Sequence, residues 1–255
     1  SHPDIASSLN NLAGNLQAQG KYAEAEPLLR EALAMERALY GDQHPSVPET
    51  LNNLAVVLDY QGNYAEAEPL YREALVLYKS ILGEKHQSVA AGMNALGVLL
   101  QARGKYAEAE SLHRQALAMR RELLGNTHPQ VASSLSNLAL LLQERGQLAE
   151  AESLYREALA IQQEALGVDH PRVASTLFGL GSLLVERGEA LAAEPFLRRS
   201  VQIRTKAYAA DSWQLARARN APPSDIFESL LNGQKFVAPA SRMLNCPMVD
   251  ETPQP

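Results

Sequence analysis

Five histidines, His2, His44, His86, His128 and His170, stand 42 residues apart. Gly20, Gly62, Gly104, Gly146 and Gly188 keep the same step, as do Gly41, Gly83, Gly125 and Gly167. So do Ala25, Ala67, Ala109, Ala151 and Ala193, each followed by Glu and, four residues after that Glu, by Arg. Units that recur at a fixed step of roughly 20–50 residues cannot each close a core, so they bury their apolar faces on one another. The chain therefore reads as five units: 2–43, 44–85, 86–127, 128–169 and 170–208.

Glycines split each unit into two halves. In the first, His2-Pro3-Asp4 reads as a helix start: Pro loses nothing in the first turn, and Asp suits the positive helix end. Ile5, Leu9, Leu12, Ala13 and Leu16 follow at helical spacing, and Gly20 stands where a left-handed cap belongs. A second helix begins near Tyr22, carries Ala25, Leu28, Leu29, Ala32, Leu33 and Met35, and ends at Gly41. The spacing predicts two antiparallel helices of about 16 residues, each about 24 Å long. Ala13, Ala55, Gly97, Ala139 and Gly181 face Ala25 and its equivalents, so paired helices approach closely. Ala32, Ala74, Ala116, Ala158 and Ser200 offer the next unit a similar shallow seat.

Composition agrees with packed helices: aromatics are 5%, while Ala and Leu, both strong helix formers, dominate. A net charge of -6 argues against a nucleic-acid surface, which needs clustered Lys and Arg. The single cysteine, Cys246, forms no internal disulfide and suits a reducing compartment, so the expected location is cytoplasmic. No apolar run is long enough to span a membrane. Ser1-His2-Pro3, without a methionine, reads as the start of a piece cut from a longer protein.

Leu12, Ala13, Leu16, Ala25, Leu29 and Ala32 match, in order and spacing, the small-and-large pattern of the tetratricopeptide repeat, which the chain resembles. The 42-residue step resembles the kinesin light chain branch of that family, as do the strings HPSVPETLNNLAVVLDYQGNYAEAEPLYREALVLYKSILG and HPQVASSLSNLALLLQERGQLAEAESLYREALAIQQEALG. The resemblance covers residues 2 to about 208. It implies an all-α, right-handed superhelical solenoid of helix-turn-helix repeats. It also implies a non-catalytic protein–protein interaction module. The alternative role is an internal scaffold or sensor arm of a larger multidomain protein, for example one with an ATPase domain. The kinesin component carries a coiled-coil heptad run before its repeats, and none is present here, so the resemblance is not extended to motor association.

Histidines one full repeat apart stand too far from each other to share one ion, so no metal and no cofactor is expected. The paired glutamates (Glu24 and Glu26, Glu66 and Glu68, Glu108 and Glu110) open second helices and are spaced for ion pairs with Arg at i+4, such as Glu26 with Arg30 and Glu68 with Arg72. The glycines are isolated helix ends rather than a phosphate loop, and no catalytic residue is expected.

By the same resemblance, first helices line a concave groove. Asparagine recurs there at Asn10, Asn11, Asn52, Asn53, Asn94 and Asn137. It is a mediocre helix former, but its amide offers both donors and an acceptor to the backbone of an extended peptide. Val56, Asp59, Tyr60, Val98, Gln101 and Gln143 complete the expected peptide site. Charged groove positions are Glu49, Asp59, Glu144 and Glu186, with no Lys or Arg, so the expected protein or peptide ligand is neutral to basic, with an apolar anchor near Val56, Tyr60 and Val98. The oligomeric state is open.

The 42-residue register carries on through Leu215, Ala216 and Asn220 until Pro222-Pro223 stops it, so 209–220 reads as an abandoned sixth helix. Residues 221–255 read as mostly irregular, with a short capping helix at 224–232 built on Ile226, Phe227, Leu230 and Leu231.

Overall fold

The computed structural model of the 255-residue chain describes residues 3–208. The expected sixth helix and the capping helix at 224–232 lie outside the described residues. Among the described residues there are ten α-helices: α1 (Pro3–Ala18), α2 (Tyr22–Tyr40), α3 (Ser46–Gln61), α4 (Tyr64–Leu82), α5 (Gln87–Ala102), α6 (Tyr106–Leu124), α7 (Pro129–Glu144), α8 (Leu148–Leu166), α9 (Pro171–Glu186) and α10 (Ala190–Tyr208).

They fall into two compact units that divide at Leu123 and Leu124. In the first, α1 pairs with α2 and α3 with α4, and each second helix then packs on the next first helix, α2 on α3 and α4 on α5. In the second, α7 pairs with α8 and α9 with α10, and α8 packs on α9. First helices also meet their neighbours within a unit: α1 meets α3, α3 meets α5, and α7 meets α9.

The recurring histidine is a helix cap. Nδ1 of His86 accepts from the backbone N–H of Ser88 at 3.1 Å, that of His128 from Gln130 at 3.2 Å, and that of His170 from Arg172 at 3.1 Å. The ring thus takes the acceptor role that Ser or Asp usually fills, and it satisfies one of the helix's orphan N–H groups. First helices end on a left-handed glycine. At Gly62 (φ 83, ψ 8) its own N–H reaches Asp59 O and the Asn63 N–H reaches Leu58 O, the double closure of a Schellman motif.

First helices have the expected 16 residues, but second helices have 19. The extra turn is held to the loop behind it: Arg37 Nε lies 2.8 Å from Asp42 Oδ1, and Lys79 Nζ lies 2.9 Å from Glu84 Oε2. Cations at a helix C-terminus meet its negative end while bridging to the loop acid.

The small positions are where the helices close on each other. Ala13, Ala55, Ala25, Ala67 and Ala32 are fully buried. A methyl on Gly97 would sit 2.8 Å from His113 Cε1, and one on Gly181 would sit 2.6 Å from Leu197 Cδ2. Around these contacts gather clusters such as Val89, Ala90, Met93 and Ala116, against which Leu75, Tyr78, Leu112 and Met119 pack.

Candidate functional site

The expected groove asparagines occupy two adjacent register positions, and a step of one residue turns a helix by about 100°. The structure separates the two. Asn10 turns inward: its Nδ2 donates to Glu36 Oε1 at 2.9 Å and to Thr50 Oγ1 at 2.7 Å, so it ties α1, α2 and α3 together. The same three register positions meet again in the second unit, where Ser136 Oγ pairs with Thr176 Oγ1 at 3.2 Å and Thr176 donates to Gln162 Oε1 at 2.7 Å. Asn94 is 5% exposed, and its Oδ1 accepts from His113 Nδ1 at 2.9 Å. Asn10 and Asn94 therefore face the interior rather than the open face expected of them. Once such an amide lies between helices, leaving it unpaired costs more than the bond gains.

Asn52 shares that register and escapes the rung. Across its seam Gly92 stands where Thr50 and Thr176 stand, and the ring of Tyr78 fills the space, with Cδ2 3.7 Å from where a Gly92 Cβ would be. Asn52 is half-buried and has no side-chain hydrogen bond among the described residues. At the next position, Asn11 is exposed and Asn53 and Asn137 are half-buried, again with no such bond among the described residues.

Val56 and Val98 are half-buried on the same helices. Tyr60 lies flat on Tyr22, with ring centroids 4.6 Å apart and planes within 5°. Asp59 is half-buried one residue before it. Gln101 departs from expectation: it is 3% exposed, so it is an interior residue. Gln143 is engaged within its unit, donating to Glu186 Oε2 at 3.1 Å and accepting from Tyr155 Oη at 3.4 Å.

The column Glu36, Tyr78, Arg120, Gln162 and Arg204 lies on second helices and supplies the inner partners. It also brings a cation: the Arg204 guanidinium carbon lies 5.2 Å from the ring centroid of Phe178 on the first helix α9.

The glutamates opening second helices are structural. Arg30 holds Glu26 at 2.9 Å within its helix and Glu66 of the next repeat at 2.6 Å. Arg72 repeats the pattern with Glu68 at 2.9 Å and Glu108 at 2.8 Å. Glu68 is also held by Arg103 and by Lys105 at 2.9 Å. Burial alone would raise its pKa, but Lys105, Arg72 and Arg103 outweigh it and bring the carboxyl down to about 2. His113 goes the other way for a base. Burial, then the nearby Arg120 charge, lowers it to about 4, so it is a neutral ring whose Nδ1 keeps the proton. Among the described residues no three His, Cys, Asp or Glu side chains come together as a metal would need, and no helix is long and apolar enough to cross a membrane.

The tetratricopeptide repeat family model matches residues 4–80, 49–122, 88–164 and 130–206, which together reach nearly every described residue. The chain belongs to the tetratricopeptide repeat family. Its repeats are of the kinesin light chain-like kind. The crystal structure of BtubC (BKLC) from P. vanneervenii is 28% identical, with a TM-score of 0.67 over 79% of this chain and 80% of that one. That of the kinesin light chain nearly identical TPR-like repeats of Podosopora anserina is 28% identical, with a TM-score of 0.65 over 81% of this chain and 98% of that one. A Rap protein complexed with competence and sporulation factor shares the fold at a TM-score of 0.70 and 15% identity, over 94% of this chain and 67% of that one. No curated protein matches the chain. As a tetratricopeptide protein of the kinesin light chain-like kind, it is an all-α helical repeat solenoid whose family serves protein–protein interaction rather than catalysis.

Proposed function

We propose that the chain binds an extended peptide segment of a partner protein along the open side of its first helices, in the cytoplasm. What carries the reading is the amide set Asn11, Asn52 and Asn53 on α1 and α3, which no group among the described residues satisfies. Amides without a protein partner gain most from a ligand that brings its own donors and acceptors at regular spacing, and an extended backbone does so. Val56 and the stacked Tyr22 and Tyr60 rings offer an apolar anchor beside them, and Asn137 offers the same amide in the second unit. Asn10, Asn94 and Gln101 drop out of the contact set and serve as its support.

Glu49 and Asp59 are the charged first-helix residues of this face in the first unit, so the ligand there is neutral to basic. Titration calorimetry with acidic, neutral and basic peptide sets tests the reading. The basic set should bind most tightly, and Asn53→Ala should weaken it about tenfold, since a lost amide contact is worth about 1–1.5 kcal/mol. Preference for the acidic set, or indifference to Asn53→Ala, refutes it.

A further inference from the structure

The rung that ties α1, α2 and α3 leaves two oxygens unsatisfied. Asn10 Nδ2 donates to Glu36 Oε1 at 2.9 Å and to Thr50 Oγ1 at 2.7 Å, which uses both of its protons. The remaining oxygen of each partner, Asn10 Oδ1 and Glu36 Oε2, is buried and has no hydrogen-bond partner among the described residues. Both are acceptors, so neither can satisfy the other while Glu36 is ionised. Glu36 is 3% exposed and Thr50 beside it 0%, so an ionised carboxyl there is held out of water. The second unit builds the same rung without a charge. Gln162 stands at the Glu36 register, is equally buried at 3%, and accepts from Thr176 Oγ1 at 2.7 Å. A protonated glutamate matches such an amide in shape and in offering one donor beside one acceptor.

We infer that Glu36 is a proton-binding site: it takes a proton from solvent onto Oε2 and donates it to Asn10 Oδ1. With the existing Nδ2–Oε1 bond, this closes a cyclic acid–amide pair that clamps α1 on α2. Return of the proton to solvent opens the pair and leaves both oxygens unsatisfied. The surroundings favour uptake on balance. Burial is the largest influence and raises the Glu36 pKa, the Thr50 and Ser46 hydroxyls lower it, Glu49 of α3 raises it, and His44 ahead of α3 lowers it; the net direction is upward. From α1 comes the neutral Asn10 amide. Because the folded value is raised, the clamp's contribution is whole below the ordinary glutamate value and is lost as pH rises through the folded one. The joint therefore tightens in mild acid, where the histidine caps weaken. This inference is independent of the peptide reading.

Carboxyl 13C NMR on the full chain, with Glu36→Gln to assign the resonance, follows the site directly. Glu36 should titrate at least about half a pH unit above the free glutamate value of about 4.3. The Asn10 side-chain amide should shift with the same midpoint, a response that Glu36→Gln removes. Amide exchange in α1, corrected for its intrinsic pH dependence, should quicken about threefold or more as pH rises through that midpoint, the factor to which half a pH unit corresponds. In Glu36→Gln it should stay slow throughout, with α4 and α5 unchanged as the check on folding. A Glu36 midpoint at or below the free value, an Asn10 amide that ignores it, or equal pH dependence of α1 in both proteins overturns the inference. So does a midpoint that moves when potassium replaces sodium at constant ionic strength, which assigns the two oxygens to a metal ion.

Discussion

Gly14 and Gly97 are both mid-helix glycines, and the structure gives them opposite roles. A Cβ on Gly14 would meet nothing within 4 Å, whereas one on Gly97 would strike the buried ring of His113. Gly14→Ala should therefore raise stability by about 0.5–1 kcal/mol, the ordinary gain from removing a helical glycine. Gly97→Ala should lower it by about 1–3 kcal/mol, because the ring is locked by Asn94 and has no room to retreat. Urea midpoints at constant slope distinguish the two. Glu68 and His113 set the acid limb. The Glu68 carboxyl is depressed, so its contribution is whole above the ordinary glutamate value and is lost as pH falls through about 2. His113 is depressed too, so the fold favours its neutral ring; that contribution is whole above the ordinary histidine value and is lost as pH falls toward about 4. Stability measured from pH 7 down to 3 should decline in both windows, and Glu68→Gln should flatten only the lower one.

At the level of the helix, the histidine row makes a prediction that its spacing alone does not. His128→Ala removes the Nδ1 acceptor from α7 and should cost about 1 kcal/mol, while His128→Asn, which keeps an acceptor at the cap, should recover most of it. Thermal melts of the three proteins decide it. His170 adds a pH signature, because a protonated Nδ1 no longer accepts. Burial, then Arg172, lowers its pKa, so this cap holds fully above the ordinary histidine range and fails as pH drops below it. Between helices, the Asn10–Glu36–Thr50 rung should behave as one unit. Asn10→Ala and Thr50→Ala each strand part of it, and their double mutant should cost less than the sum, by about 0.5 kcal/mol or more.

For the molecule as a whole, the repeat separates by register the residues that hold helices together from those left without a protein partner. Residues that recur with little change (the capping histidine, the glycine ends, the facing alanines and the Glu–Arg ladder) hold helices together. Residues that change from repeat to repeat do one of two things. Some vary together across a seam, as Thr50 with Glu36 and Gly92 with Tyr78 do, and these are packing. Others, in the column of Asn11, Asn53 and Ala95, have no side-chain hydrogen bond among the described residues. Asn53→Ala should therefore leave the unfolding midpoint within about 0.5 kcal/mol of the original while weakening peptide binding, whereas Asn10→Ala should do the reverse.

The period, the helix pairs, the ends of first helices and the close contact at Ala13, Ala25 and Ala32 were all legible in the chain, because each depends on local spacing and on one residue being small. What the asparagines do was not legible. Asn10 and Asn53 are one register step apart, and composition treats them alike. Only the packed seam, where Glu36 and Thr50 close on Asn10 and the Tyr78 ring fills the place opposite Asn52, decides which amide is spent inside and which is left open. That choice depends on contacts between residues some forty positions apart, and it exists only once the helices are stacked.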